Sequence, residues 1–205
     1  MEITELAPEG GWADAGGMRI APPPPSEQGA VFRLMSGISA RFGRKQVPNI
    51  FLVFNKNPRL FWAWLVLASR FMPYGRLRDA DREKIILRTA WVTRSRYEWG
   101  QHVELGLKAG LSDEDIVRAS RGPDAFDDPR DRALVSACDE MLADRCISDA
   151  TWQELGKHYD EKLLIEIVVL IGHYEMLAGF LNSTGVALEP DIEKELKAFH
   201  QRIAG

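Results

Sequence analysis

The chain has 205 residues, 45% of them apolar, and a formal net charge of −4, which fits one sizeable globular domain. So mild a charge gives no electrostatic footprint for nucleic acid or an anionic membrane surface. The first twenty residues carry Glu2, Glu5, Glu9 and Asp14 without an apolar signal core, and no run approaches the ~20 apolar residues of a membrane span. The two cysteines, Cys138 and Cys146, are eight residues apart. On one helix that is about 12 Å, too far for a disulfide. A cytoplasmic setting is the expectation.

Residues 1–29 are rich in glycine and proline and include four consecutive prolines, Pro22 to Pro25, which forbid a helix interior. They read as an extended or disordered N-terminal arm, with Ile3, Leu6, Trp12, Met18 and Ile20 available to dock on a neighbouring subunit. Residues 30–205 read as one helical domain. A short amphipathic helix is expected over 30–43, followed by an apolar stretch over 49–56. Pro58 opens a Trp-rich helix to Met72, with Trp62 and Trp64 in the core or at an interface.

Asp79 is expected to cap a helix running to about Arg94, with a second helix to Gly110 almost without a break. Ser112 and Asp115 form a capping-box pattern for a helix to about Ser120. Asp128-Pro129 starts a helix to Asp144 that buries Leu134, Cys138 and Met141. Ser148 opens a helix through His158. Asp160 caps the most apolar segment, a central helix interrupted by Glu166 and His173, with Tyr174 beside them. Glu189-Pro190 starts an outer helix to about Ile203. No strand-length alternation competes, so the fold class is all-α.

The densest chemistry lies in 81–110. Ser95, Glu98 and His102 stand at i, i+3 and i+7, within one narrow stripe of a helix. Leu105, Gly106 and Ala109 continue that stripe, so it faces inward. On the preceding helix Glu83 shares the side of Ile86, Leu87 and Ala90. A carboxylate on an apolar stripe is rarely left unpaired. If the two helices pack antiparallel, Glu83 and His102 meet. A histidine beside a carboxylate has the equipment for proton transfer near neutral pH. The competing reading of Glu98 and His102 is an ordinary i,i+4 pair without a role.

These residues resemble the carboxymuconolactone decarboxylase family, which also holds the alkylhydroperoxidase D proteins. The peroxidase branch carries a Glu and, twelve residues on, Cys-x-x-Cys-x-x-x-His. Glu83 and His102 match its Glu and His, but Ser95 and Glu98 stand where the two cysteines would be. The segment Tyr97-Glu98-Trp99-Gly100-Gln101-His102 is similar to the non-peroxidase members. The likeness runs weakly from about Asn49 to Val186.

It implies an alkylhydroperoxidase D-like helical bundle that forms trimers or hexamers. It also implies a lyase-type acid–base enzyme, needing no cofactor, that acts on a small lactone or carboxylic acid. His102, Glu98 and Glu83 are then the catalytic candidates, and Ser95, Trp99, His173 and Tyr174 the substrate-binding ones. Arg94 and Arg96 flank the motif as possible carboxylate holders. A metal site built from Glu98, His102, Glu166 and His173 is an alternative, but the spacing departs from the Glu-x-x-His of dinuclear helical sites. A catalytically inactive helical binding or scaffold protein is another alternative, and it requires a filled or closed cavity; a third, a residual peroxidase, is disfavoured by the missing thiols.

Overall fold

The computed structural model describes residues 6–24, 27 and 47–205. The helix expected over 30–43 lies outside them. Among the described residues there are nine α-helices and no strand. They are α1 (Asn49–Phe54), α2 (Pro58–Ser69), α3 (Asp79–Val92), α4 (Arg96–Lys108), α5 (Asp113–Arg121), α6 (Pro129–Asp144), α7 (Asp149–Gly156), α8 (Glu161–Thr184) and α9 (Pro190–Ala204).

Most boundaries follow local capping chemistry. Ser112 and Asp115 close a reciprocal capping box at α5. The side chains of Asp128, Ser148 and Asp160 accept from first-turn amides of α6, α7 and α8. Helix α3 differs: Arg78 occupies the cap position without a side-chain bond, and Asp79 is the first helical residue. Asp79 and Asp81 there complement the positive helix end. The Trp-rich helix α2 ends at Ser69, and the chain then turns through Phe71 to Pro73.

Helix α3 lies at the centre of the packing, against α4, α6 and α8. Ile85, Ile86, Leu87 and Ala90 are fully buried along it. Its polar residues are tied down as well. Lys84 pairs with Asp131, Arg88 makes a two-pronged pair with Asp139, and Tyr159 donates to Asp81 at 3.0 Å. Helix α8 buries Leu164, Ile167, Leu170, Ile171 and Leu181.

It is less enclosed than its composition suggests, because Ile165, Val169 and Met176 stay exposed. By length and composition alone α8 could cross a membrane. Here it packs on α3, α6 and α7 instead.

The described part of the arm lies against its own chain. Ala13 N–H donates to Arg94 O at 2.9 Å, and Arg94 donates back to the carbonyls of Gly10 and Gly11 at 2.6 Å. Trp12 sits edge-on to Trp91 and beside Trp99, with ring centroids 5.5 and 6.0 Å apart. Further on, Arg19 N–H donates to Thr184 O at 2.8 Å. Gly185, the left-handed cap of α8 at φ 69°, makes this approach possible, because a Cβ there would come within 2.1 Å of Gly17 O.

Candidate functional site

Helices α3 and α4 fold back on one another through the short turn at Thr93 to Ser95. Gly106 lets them come close: a Cβ there would lie 3.2 Å from Leu111 Cδ1, 3.4 Å from Leu87 Cδ1 and 3.9 Å from Glu83 Cβ. The result is the contact expected from the sequence. His102 Nδ1 and Glu83 Oε2 are 2.7 Å apart, with Glu83 fully buried.

The other carboxylate oxygen, Oε1, accepts from Arg82 Nε at 3.0 Å and Nη2 at 2.9 Å. Arg82 in turn pairs with Asp79 at 2.6 Å. A carboxylate held by a guanidinium acts as an acceptor. So Nδ1–H of His102 is the donor, which leaves Nε2 as the ring nitrogen available to the pocket that His102 lines. Breaking such a buried charge cluster from one side costs about 3–5 kcal/mol.

That pocket is about 450 Å³ and is enclosed by α1, α2, α4, α8 and the turn after α2. Its walls are mainly apolar and aromatic, including Phe51, Trp64, Phe71 and Leu177. Glu98 lines it while only 3% exposed, and neither of its oxygens has a hydrogen-bond partner among the described residues. Burial pushes its carboxyl well above the usual carboxylate range, and the nearby Ser95 hydroxyl offsets this only in part. The neutral acid is therefore the favoured form.

His173 and Tyr174 line the same pocket from α8. Trp64 Nε1–H donates to His173 Nε2 at 3.3 Å, and the two rings are parallel within 3°. The His173 proton thus sits on Nδ1, which is buried without a partner among the described residues. Burial lowers the His173 pKa to about 4, so this ring is neutral at ordinary pH. The Tyr174 ring stands edge-on to His102 with centroids 5.1 Å apart. Burial, with Glu83 and Glu98 nearby, raises its phenol well above the ordinary value, so it keeps its proton.

Four of the expected site residues, Glu98, His102, His173 and Tyr174, meet at one pocket, and Glu83 stands behind His102. Ser95 and Trp99 do not line it. Ser95 is the buried N-cap residue of α4. Trp99, fully buried, packs on Trp91 and Trp12, with centroids 5.0 and 6.0 Å away.

Arg94 holds the arm, and Arg96 pairs with Glu193, so neither arginine lines the pocket. Glu166 accepts from the amides of Arg76 and Leu77 at 2.8 and 3.1 Å, fixing the turn before α3. The four residues considered for a metal are therefore not gathered. Among the described residues no group of three or more His, Cys, Asp or Glu is arranged to hold a metal ion.

Cys138 is buried on α6 with its thiol pushed up to about 12, and Cys146 is exposed past the end of that helix. Neither lines the pocket. His200, on α9, is buried.

Sequence reasoning missed the hub at Glu189. This buried carboxylate accepts from Tyr97 Oη at 2.8 Å, from Gln101 Nε2 and from the Asn49 amide, joining α4, α9 and α1 beside the pocket. Its one sequence signal, Glu before Pro190, points to a helix start and says nothing of burial.

The sequence profile of the carboxymuconolactone decarboxylase family matches residues 58–140. No curated protein matches the chain. Several solved structures share its fold at low identity. A peroxidase-related protein from Ralstonia eutropha JMP134, described as an alkylhydroperoxidase core, is 18% identical with a TM-score of 0.75, covering 85% of this chain and 94% of that one.

A variant of the debrominase Bmp8, in complex with 2,3,4-tribromopyrrole, is 17% identical with a TM-score of 0.73, covering 91% and 100%. A peroxidase-related protein from Silicibacter sp. TM1040 is 16% identical with a TM-score of 0.72, covering 88% and 94%. At these identities the likeness establishes the fold, an alkylhydroperoxidase D-like helical bundle.

Glu98 gives a stability prediction whose sign is fixed by its environment. Its folded pKa lies above the ordinary 4.5, so the folded chain binds more protons than the unfolded one above that pH, and stability falls as pH rises toward the folded value. Glu98→Leu removes this loss. The variant should gain about 1–3 kcal/mol relative to the parent at pH 8, and less at pH 4.5. Denaturant melts at the two pH values measure the difference. A larger loss of stability for the variant at pH 8 would mean that Glu98 is ionised and paired.

Proposed function

We propose that this chain, whose residues 58–140 match the carboxymuconolactone decarboxylase profile, is an acid–base enzyme of that family. In this reading it moves a proton at a carbon next to the carbonyl of a small molecule. The single observation that carries the reading is His102, oriented through Nδ1 by a buried, Arg82-held Glu83, with its other nitrogen left to a pocket that also holds the acid Glu98.

In this mechanism His102 Nε2 takes a proton from carbon. The C–H electron pair moves through the carbon–carbon bond to the carbonyl oxygen. Glu98 O–H hydrogen-bonds that oxygen as charge develops on it. Imidazolium then returns the proton to the same or a conjugated carbon, which completes exchange or double-bond migration. Glu83 does not touch substrate; it is a positioning residue that holds the tautomer and stabilises the imidazolium, a role familiar from the carboxylate in hydrolase triads.

Decarboxylation would use the same dienolate stabilisation. Proton transfer is favoured because a substrate carboxylate would find only Lys108 as a standing cation in the pocket wall, and that group is paired with Glu104. Peroxidase chemistry lacks a thiol at the pocket. A binding or scaffold protein without catalysis calls for a filled cavity, against which the 450 Å³ pocket beside His102 argues. A neighbouring fold described as a debrominase in complex with a small ring compound supports a small-molecule role in general terms only.

Self-association belongs to the same proposal. Exposed Leu60, Trp62, Val66 and Leu67 on α2, and Ile165, Val169 and Met176 on α8, supply apolar surface for it. Light scattering should give a mass of at least two chains at micromolar concentration, and a 23.1 kDa monomer would remove this part.

The catalytic reading is tested by following hydrogen exchange from D₂O into a panel of cyclic ketones and unsaturated lactones by NMR. With a substrate in hand, His102→Ala should lower the rate about 10²–10⁴-fold. Glu83→Gln should lower it less while shifting the pH profile, because it disturbs only the orientation and charge of His102. A folded His102→Ala variant working at the parent rate would put the binding-protein reading in its place.

A further inference from the structure

The pocket's polar groups can be accounted for one by one, and what is left describes the ligand. Trp64 Nε1–H is already given to His173 Nε2. The Gln101 amide is given to Glu189. Lys108 reaches Glu104 at 2.6 Å with its side chain 51% exposed, so it belongs to the mouth rather than the interior. His102 Nδ1 is given to Glu83.

Among the described residues this leaves, besides His102 Nε2 and the protonated Tyr174 phenol, two buried groups: the carboxyl of Glu98, with only the Ser95 hydroxyl near it, and the unpartnered Nδ1–H of His173. Buried polar groups in folded proteins have partners, and exceptions call for a ligand or another reason. Apolar and aromatic side chains make up the rest of the wall. The volume, about 450 Å³, falls within the ordinary range for small-molecule sites.

We propose that this pocket takes an uncharged, largely apolar molecule of one or two rings whose single polar function, a carbonyl oxygen, accepts a hydrogen bond from the buried Glu98 in its wall. This deepens the acid–base reading and rests on it for the chemistry, though not for the binding. Charge is the selecting property. An anionic ligand would be buried with no free cation among the described residues of the wall, since Lys108 is paired with Glu104, a cost of several kcal/mol per ion. A cationic ligand would have to draw a proton off Glu98 and settle beside the resulting carboxylate. An uncharged carbonyl compound needs neither step. It covers the aromatic rings of Phe51, Trp64 and Phe71, uses the Glu98 donor, and puts its neighbouring C–H bonds in the cavity that His102 lines.

Three probes on one skeleton separate these cases: 2-tetralone, tetralin-2-carboxylate and 2-aminotetralin. Binding to the full chain at pH 7 is measured by calorimetry. The ketone should bind at least tenfold more tightly than either charged probe. Glu98→Leu should weaken the ketone about tenfold, the usual worth of one hydrogen bond. Glu98→Gln, which keeps an N–H donor of the same shape, should stay within about threefold and guards against misreading a folding defect.

Tighter binding of the amine, lost in Glu98→Gln, would overturn the proposal in favour of a carboxylate–cation site. Tighter binding of the carboxylate, or no binding of the ketone, would overturn it too. Failure of the catalytic reading looks different: the ketone binds as expected, but its α-hydrogens do not exchange in D₂O.

Discussion

One buried carboxylate organises the site. Glu83 has no exposure and cannot keep its charge without partners, because an isolated ion in a protein interior is many kcal/mol less stable than in water. Arg82 takes one of its oxygens and His102 the other. To satisfy Glu83, α3 and α4 must pack in one register, and Gly106 supplies the close approach that this register needs. The same contact decides the chemistry, since a histidine committed through Nδ1 has only Nε2 to offer. Stability and the proposed function are therefore coupled: what offsets the buried charge also orients the proposed base.

Helical periodicity made this pair legible. Glu83 on an apolar stripe, and His102 at the head of another, already implied a meeting across an antiparallel helix pair. Capping chemistry was equally readable at Ser112, Asp128 and Asp160, because it depends on residues within one turn of each other.

Periodicity says less about what a stripe meets. Glu98 and Trp99 are one residue apart, about 100° around α4, and they diverge to opposite sides of His102. Glu98 faces the pocket, while Trp99 meets the arm at Trp12. Ser95 shares the stripe but sits at the N-cap position of α4, without a side-chain capping bond and away from the pocket lining. Glu166 was a candidate metal ligand alongside His173, yet it is used by the amides before α3. The walls from Phe51, Trp64 and Phe71 arise from three segments distant in sequence from the motif, and no local pattern links them to it. Glu189 was hidden for the same reason, because its partners Tyr97, Gln101 and Asn49 lie far away in the chain.

Glu98 gives the pocket a carboxyl whose neutral form burial favours, in the same largely apolar cavity that His102 lines. Histidine His173, neutral and donated to by Trp64, adds a fixed dipole without adding charge. The cavity is thus equipped for proton movement in a medium poor in standing charge.

The account rests on the tautomer of His102. Nitrogen-15 NMR of the histidine-labelled protein at pH 8 reads it directly. The expected spectrum has a protonated Nδ1, with its proton shifted downfield by the Glu83 carboxylate, and an unprotonated Nε2, and Glu83→Gln abolishes the downfield shift. A His102 protonated on Nε2, or one whose signals ignore Glu83→Gln, would contradict the central claim that Glu83 orients His102 as a base facing the pocket.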